Sequence, residues 1–413
     1  MLEKIKYLQN SINPKLRDFL YGLVCAILFS AFIYIEDFGF TIKILNTLFA
    51  LASFTMLLYM PKRAVLIAGF FIGLFWFYWI GYSFKYNGVG FMEPIITLIF
   101  AIVYTLFFGV VALSNETYIR AILLFILSFI EPFDFNWLQM ELPFVDSYFG
   151  ILKYQFAIIL IALMLPRYIK KAQFKFLPLF LLILAINFNT PLQKDAPLKI
   201  KLVPTDIKQD QKWLQQNLPS IVKMIFEEIK KAKEQGYDIV VFPEAVFPLY
   251  MNNTPPIMEE LKNLSFDISI VVGALYKDEN AHYNVTYMFE YGEYKIAKKI
   301  VLVPFGEYIP LPSFAKKFVN EYFFAGASDF AAAKEPTDFI IKGVKFRNAI
   351  CYEATCQEVY EGNVNFVIAI SNNAWFAPSI EPTIQKLLMR YYARKNNSTI
   401  YHSANYKGSG IIK

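Results

Sequence analysis

Histidine is almost absent from this chain. Two residues in 413, His282 and His402, exclude a histidine-rich metal site and make a Cys–His catalytic pair a poor fit. Cysteine is scarce too. Cys25, Cys351 and Cys356 cannot form a disulfide framework, and Cys351 and Cys356 stand so close that they could pair only with distortion or at a strand end. The net charge is only +6, and much of it sits in short clusters beside apolar segments. That pattern speaks for membrane topology and against nucleic-acid binding. No small-residue cleavage site follows the first apolar segment, which therefore reads as a permanent helix and not a removed signal peptide.

Apolar residues are abundant: 56 % of the chain, with 42 Phe and 27 Tyr. The excess lies in residues 1–190, where apolar blocks are broken by short polar joints. From Leu198 onward charges and Pro/Asn turns return. Two domains follow: a membrane domain over 1–190, and a globular domain over 191–413 of about 220 residues, large enough for its own core. Crossing a bilayer takes about 20 apolar residues per helix. Phe19–Ile35, Ile44–Met60, Ala64–Phe84 and Pro94–Leu113 qualify. Ala121–Phe133, Phe149–Leu165 and Phe176–Phe188 are crowded by charges, and Lys153 would have to snorkel. That makes about seven transmembrane helices.

The positive-inside rule orients them. Lys4, Lys6, Lys15 and Arg17 precede the first helix, Lys62 and Arg63 follow the second, and Arg120 follows the fourth. Arg167, Lys170, Lys171 and Lys175 follow the sixth. The joint from Glu131 to Phe149 holds four acids and no Lys or Arg. Seven crossings with the N-terminus inside fit every joint and put the globular domain outside the cytoplasmic membrane. "LFWFYWIGYSF" (Leu74–Phe84) then marks an outer membrane edge, as an interfacial aromatic belt or a lipid-contacting cluster.

The globular half alternates strand and helix. "LKIKLVPTD" reads as a strand ending at a Pro turn. The following helix, with Ser220 as N-cap, is stopped by Gly236. "YDIVVFPEAVFP", "ISIVVGALY", "FRNAICYE" and "VNFVIAISNNAWF" supply apolar strands, which predicts an α/β domain with covered sheets. Three reactive groups stand at strand ends, where function in α/β sheets gathers: Glu244 after "VVFP", Lys299 in "KKIVLVPFGEYIP", and Cys351 at the end of "NAIC". They form a coherent set without histidine. Glu can be the base for a thiol, and Lys with a backbone N–H can hold a tetrahedral oxyanion.

The stretches "VVFPEAVFP", "KKIVLVPFGEYIPL", "AICYE" and "SNNAWF", in that order behind a run of membrane helices, resemble the apolipoprotein N-acyltransferases, the integral-membrane branch of the nitrilase (carbon-nitrogen hydrolase) superfamily. The resemblance covers nearly the whole chain. It implies a multi-pass α-helical membrane domain joined to an αββα nitrilase-like sandwich with a Glu–Lys–Cys triad: Glu244 as base, Lys299 as oxyanion cation, Cys351 as nucleophile. Lys299 is preferred to Lys298 for its eight-residue spacing to Glu307. By the same resemblance Glu307 is a supporting carboxylate, Tyr352 and Glu353 are tied to activity, the Tyr352 N–H completes the oxyanion hole, and Trp213 and Trp375 are aromatic positions near the substrate entrance. Cys356 matches no catalytic position and reads as structural.

The implied reaction moves the sn-1 acyl chain of a membrane phospholipid through a cysteine thioester to the α-amino group of a diacylglyceryl-cysteine at an apolipoprotein N-terminus. It needs no cofactor, no metal and no nucleic acid. Its partners are the bilayer, the phospholipid donor and the apolipoprotein acceptor, and its place is the bacterial cytoplasmic (inner) membrane with a periplasmic active site. Two departures stand out. The family commonly continues with more strand and a final transmembrane helix where this sequence stops at "YKGSGIIK", and Thr205 stands where Gln is more usual. The rival readings are a membrane-tethered nitrilase-type amidase and a non-catalytic transporter or receptor with an extracytoplasmic binding domain. Seven helices have no purpose for a soluble amide, and the ionisable residues Lys43, Glu93 and Lys153 all lie near segment ends, which disfavours transport.

Overall fold

Pro14 at the first turn opens α1 (Pro14–Asp37), since proline's fixed φ and missing N–H suit a helix start, and Asn13 caps it by accepting from Lys15 N–H at 2.9 Å. This computed structural model describes residues 13–188, 193–279, 281–303, 307 and 330–413. Lys4 and Lys6 therefore lie outside the described residues. The chain divides into two compact units, residues 1–81 with 91–190, and residues 82–90 with 191–413. The short segment 82–90 thus groups with the C-terminal unit.

In the first unit α1 is followed by α2 (Lys43–Tyr59), α3 (Lys62–Phe77), α4 (Glu93–Gly109), α5 (Thr117–Leu127) and α6 (Lys153–Met164), with a 3-10 stretch at Leu177–Ala185. Every segment expected to cross has helix in it, but the lengths differ from expectation. Among the described residues two helices, Pro14–Asp37 and Gly90–Gly109, are long and apolar enough to span. Lys62–Phe77 with Ile80–Tyr86, bent by 43°, would be a third. α5 stops before Glu131–Pro132, α6 stops before Pro166, and Pro178 opens the last stretch, so proline breaks the later segments into short pieces.

Packing inside this unit corrects three expectations. Arg120 is not a joint cation. It lies in α5, 2 % exposed, and caps the C-terminus of α2, donating from Nη1 to the carbonyls of Met60 (2.6 Å), Leu57 and Leu58, and from Nε to Ser114 O (2.8 Å). Lys153 does not snorkel, because its ammonium meets the buried Glu141 carboxylate at 2.8 Å and covers the Phe129 ring. Trp76, Phe77 and Trp79 of the aromatic cluster are buried between helices and do not form a lipid-facing belt. Trp76 Nε1 donates to Ser30 Oγ at 3.0 Å, and Phe77 stacks on Tyr104 at 4.9 Å. The close approach of α3 to α4 needs Gly69, where a Cβ would stand 2.7 Å from Tyr104 O.

The second unit is an αββα sandwich. β1 (Ile200–Leu202), β2 (Ile239–Val241) and β3 (Ser269–Lys277) run parallel, then β4 (His282–Glu290) and β5 (Glu293–Lys298) add antiparallel, in spatial order 1-2-3-4-5. The second sheet has the order 10-9-8-7-6. In it β7 (Val344–Ile350), β8 (Phe366–Asn372) and β9 (Thr399–Asn405) are parallel, flanked by antiparallel β6 (Asp338–Ile341) and β10 (Gly410–Ile412).

Alternation along the strands sorts the core. Val240, Ile270 and Val272 face α7 (Leu218–Glu234) and α8 (Pro255–Leu264), while Ile239, Val241 and Val271 face Ile350, Ile368 and Ile370 of the other sheet. Burying each such side chain is worth about 1.5–3 kcal/mol. α9 (Glu381–Asn396) covers the second sheet. α7 starts two residues before the expected cap. Pro219 fits its first turn, and Ser220 Oγ instead donates back to Asn217 O at 2.7 Å.

Candidate active site

Two reversals of direction bring β5 back parallel to β3, so the ends of β2 and β5 open on the same edge of the first sheet. Glu244 follows β2, Lys299 follows β5, and Cys351 follows β7 of the facing sheet. Both carboxylate and thiol leave their strands on sharp turns: Ala245, just after Glu244, has φ +44°, and Cys351 itself has φ +55°. A non-glycine residue held left-handed is strained, and such strain concentrates where a side chain must be presented. The Glu244 turn crosses β3 at Gly273, where a Cβ would stand 2.4 Å from Ala245 N and 2.7 Å from Glu244 Cα.

Glu244 is 7 % exposed and anchored at both oxygens: Oε1 accepts from Asn284 Nδ2 at 2.6 Å and Oε2 from Asn372 N–H at 2.8 Å. The same Asn284 amide reaches Glu307 Oε1 at 3.1 Å, so one side chain of β4 joins the two carboxylates. Glu307 Oε2 in turn meets Lys299 Nζ at 2.7 Å and accepts from Val303 N–H at 2.9 Å. The residues around Glu307 in its motif, 304–306 and 308–310, lie outside the described residues. Lys299 is fully buried. Burial alone would lower its pKa, but Glu307, Glu244 and Cys351 outweigh that and hold it above its ordinary value, so it is a permanent ammonium.

Cys351 is a half-buried free thiol, 3.8 Å from Gln385 Nε2. Burial and the Glu244 carboxylate push it well above its ordinary pKa, with Lys299 opposing. At rest it is a thiol that needs a base, not a ready thiolate. Glu353 ties the two halves of the site together: Oε1 accepts from Ile350 N–H at 2.7 Å, and Oε2 from Ile300 N–H at 2.7 Å and Val301 N–H at 3.3 Å. It thus fixes the residue before Cys351 against the residues after Lys299. Burial raises its pKa to about 7 against Lys299 and those three donors.

Tyr352 is buried in the 3-10 turn Cys351–Thr355, where its carbonyl accepts from Thr355 Oγ1 at 2.6 Å. Cys356 is a buried thiol in contact with the same carbonyl. Trp213 and Trp375 are not part of the buried cluster. Trp213 is 44 % exposed, and Trp375 packs edge-on against Tyr86 at 5.5 Å. His402 is buried in β9 between Gly408 O and Ser371 Oγ, and burial pulls its pKa to about 4, so it is a neutral structural residue. His282 bonds Tyr250 at 2.8 Å. Among the described residues no group of His, Cys, Asp and Glu could hold a metal ion.

Sequence reasoning passed over several members of this site. Lys212, beside Trp213, is 1 % exposed and donates to Glu244 O at 3.0 Å. Burial pulls it down to about 8, with Glu244 and Cys351 opposing. Asn372 joins Gln209 and Asn405 through 2.8 Å amide contacts behind Glu244. Asn284, Glu381 and Gln385 complete the surroundings. Only the repeated Asn in "SNNAWF" carried a signal; Lys212 and Asn284 look like ordinary solvated polar residues in the sequence.

Comparison with known proteins follows the same division of the chain. The sequence model of the apolipoprotein N-acyltransferase integral membrane domain matches residues 16–188, and that of carbon-nitrogen hydrolases matches residues 207–401. The apolipoprotein N-acyltransferase of Wolinella succinogenes is 41 % identical over 393 residues, 95 % of either chain. That of Helicobacter hepaticus is 36 % identical over 379 residues, 89 % of this chain and 94 % of its own, and that of Helicobacter pylori 35 % identical over 375 residues, 89 % and 87 %. An apolar helical unit, a nitrilase-like sandwich and relatives matched almost end to end place this chain in the apolipoprotein N-acyltransferase family.

Proposed function

We propose that this protein is a membrane N-acyltransferase that carries an acyl chain from the sn-1 position of a phospholipid to the free α-amino group of the diacylglyceryl-cysteine at an apolipoprotein N-terminus. The observation that carries this reading is the set of buried Glu244 and Lys299 with half-buried Cys351 at converging strand ends, in a chain whose other unit is apolar helix.

In the first half-reaction Glu244 takes the Cys351 proton as the sulfur attacks the ester carbonyl. The oxyanion is held by the Lys299 ammonium and the Tyr352 N–H. The C–O bond breaks, the leaving alkoxide recovers the proton from Glu244, and a lysophospholipid departs. In the second half-reaction the acceptor amine attacks the thioester, Glu244 takes a proton from nitrogen, the C–S bond breaks, and that proton returns to sulfur. Glu307 and Asn284 hold Lys299 and Glu244 in register, and Glu353 holds the Cys351 turn. Trp213 and Trp375 line the approach of the lipid chains. No cofactor enters the scheme.

The membrane domain over 1–190 crosses the bacterial cytoplasmic membrane several times, and the catalytic domain over 191–413 lies on its outer, periplasmic side, so acyl chains need not leave the bilayer. The joint from Glu131 to Phe149, which holds no Lys or Arg, supports that orientation. Purified protein in mixed micelles with phosphatidylglycerol and a diacylglyceryl-cysteine peptide should add one acyl chain to the peptide's amine. Failure with phospholipid alongside turnover of simple amides would favour the amidase reading. Labelling of cysteines introduced after Glu244 by an impermeant reagent on spheroplasts tests the orientation, and protection of these sites until lysis would reverse it.

A further inference from the structure

The first turn of α9 carries two side chains that the scheme above leaves unused. Glu381 is 1 % exposed, and its Oε2 has no hydrogen-bond partner among the described residues. One turn on, Gln385 is fully buried, with Nε2 3.8 Å from Cys351 Sγ and Oε1 accepting from Asn373 Nδ2 at 3.1 Å. Residues four apart share a helix face, so Glu381 looks toward the side on which Gln385 meets the thiol. Glu381 also acts electrostatically on both Cys351 and Glu244. Among the described residues the two buried lysines are engaged elsewhere, Lys299 by Glu307 and Lys212 by the Glu244 carbonyl. A buried carboxyl oxygen without a partner is costly, and next to a nucleophile it marks the place of a ligand group.

We propose that Glu381 receives the cationic primary amine of the second substrate, the ammonium that must be seated and deprotonated beside the Cys351 thioester. This inference rests on the acyl-transfer reading. The ester donor of the first half-reaction needs no such group. Before the amine arrives, burial and then Glu244 push the Glu381 carboxyl well above its ordinary pKa and so favour its neutral form, which limits the negative charge beside the thiol during acylation. An arriving ammonium makes the ionised form favourable: the carboxyl proton leaves to solvent, and an ion pair replaces the orphaned oxygen. The ammonium then gives one proton to Glu381 and becomes a neutral amine. As its nitrogen bonds the thioester carbon and the C–S bond breaks, its second proton passes to Glu244 and on to the Cys351 sulfur. One proton per turnover has gone to solvent, and every group is restored.

The two half-reactions separate this role from a structural one. Wild type, Glu381→Gln and Glu381→Asp are acylated with phosphatidylglycerol alone, and the acyl-enzyme is followed by intact mass. It is then chased either with a diacylglyceryl-cysteine peptide or with hydroxylamine, a nucleophile uncharged at neutral pH. Acylation of Glu381→Gln is expected within about threefold of wild type, and its discharge by hydroxylamine likewise. Discharge by the peptide should fall at least tenfold at low peptide, with a raised KM, and Glu381→Asp should recover most of it. Peptide discharge at the wild-type rate, or an equal fall in all three steps, would overturn the proposal. Wild type that forms no acyl-enzyme would overturn the acyl-transfer reading itself, and this one with it.

Discussion

Replacing Gly273 by alanine adds a single methyl group, yet it should cost this enzyme far more in rate than in stability. The new Cβ would lie 2.4 Å from Ala245 N, 2.7 Å from Glu244 Cα and 2.7 Å from Pro243 O. Non-bonded carbon atoms settle near ~3.5 Å, so the backbone carrying Glu244 has to retreat by about 1 Å. All three atoms are main chain, and no side chain can swing aside. Overpacking of this kind costs about 1–3 kcal/mol, a loss of several degrees in unfolding temperature that a folded protein can survive. Displacing a reacting group by ~1 Å costs on the order of 10²-fold in rate. Asn284 and Asn372 hold the Glu244 carboxylate at 2.6 and 2.8 Å and cannot both follow it. Gly273→Ala in micelles, measured by the rate of acyl-enzyme formation and by thermal unfolding, is therefore expected to be folded and about a hundredfold slower. A variant within threefold of the wild-type rate would refute the claim that the crossing at Gly273 sets the base in place.

Three further outcomes follow from the same geometry. Lys299→Met removes the buried ammonium beside Glu307 and should slow acyl-enzyme formation by about 10²–10³-fold; a rate above a tenth of wild type would remove Lys299 from the chemistry. Glu353, raised from 4.5 to about 7, holds its proton in the folded chain at pH values where the unfolded chain has lost it. Its stabilising contribution is therefore full below pH 4.5, shrinks as pH rises to about 7, and is level above that. The unfolding temperature of Glu353→Gln, subtracted from that of wild type across this range, should trace that decline, and a flat difference would contradict it. Arg120→Met leaves four carbonyl contacts around the end of α2 without their donor. It should destabilise the detergent-solubilised protein by about 3 kcal/mol, while the acylation rate of the folded fraction is unchanged.

Much of the second unit could be read from local pattern. Apolar runs such as "IVV" and "NAI" became strands buried on both faces, Gly236 ends the α7 segment, and the reactive residues stand at strand ends because only those ends are both rigid and open. The polar scaffolding was not legible, since its reason is long-range. Asn284 lies 40 residues from Glu244 and Asn372 lies 128 away, and no local periodicity marks either as a clamp. Lys212, between Gln211 and Trp213, and Glu381, between Ile380 and Pro382, carry no periodic sign of burial in the sequence, and only tertiary packing buries them. In the first unit apolarity located the helices, while proline cut the later ones short. Ion pairing and helix capping gave Lys153 and Arg120 partners that a hydropathy reading cannot see.

The most direct measurement is the mass of the intact protein after incubation with phospholipid and no acceptor, wild type beside Cys351→Ala. The account predicts an increment of one acyl chain on wild type, removed by hydroxylamine and absent from the variant. Folded wild type that stays unmodified, or an equal increment on Cys351→Ala, would contradict transfer through a Cys351 thioester.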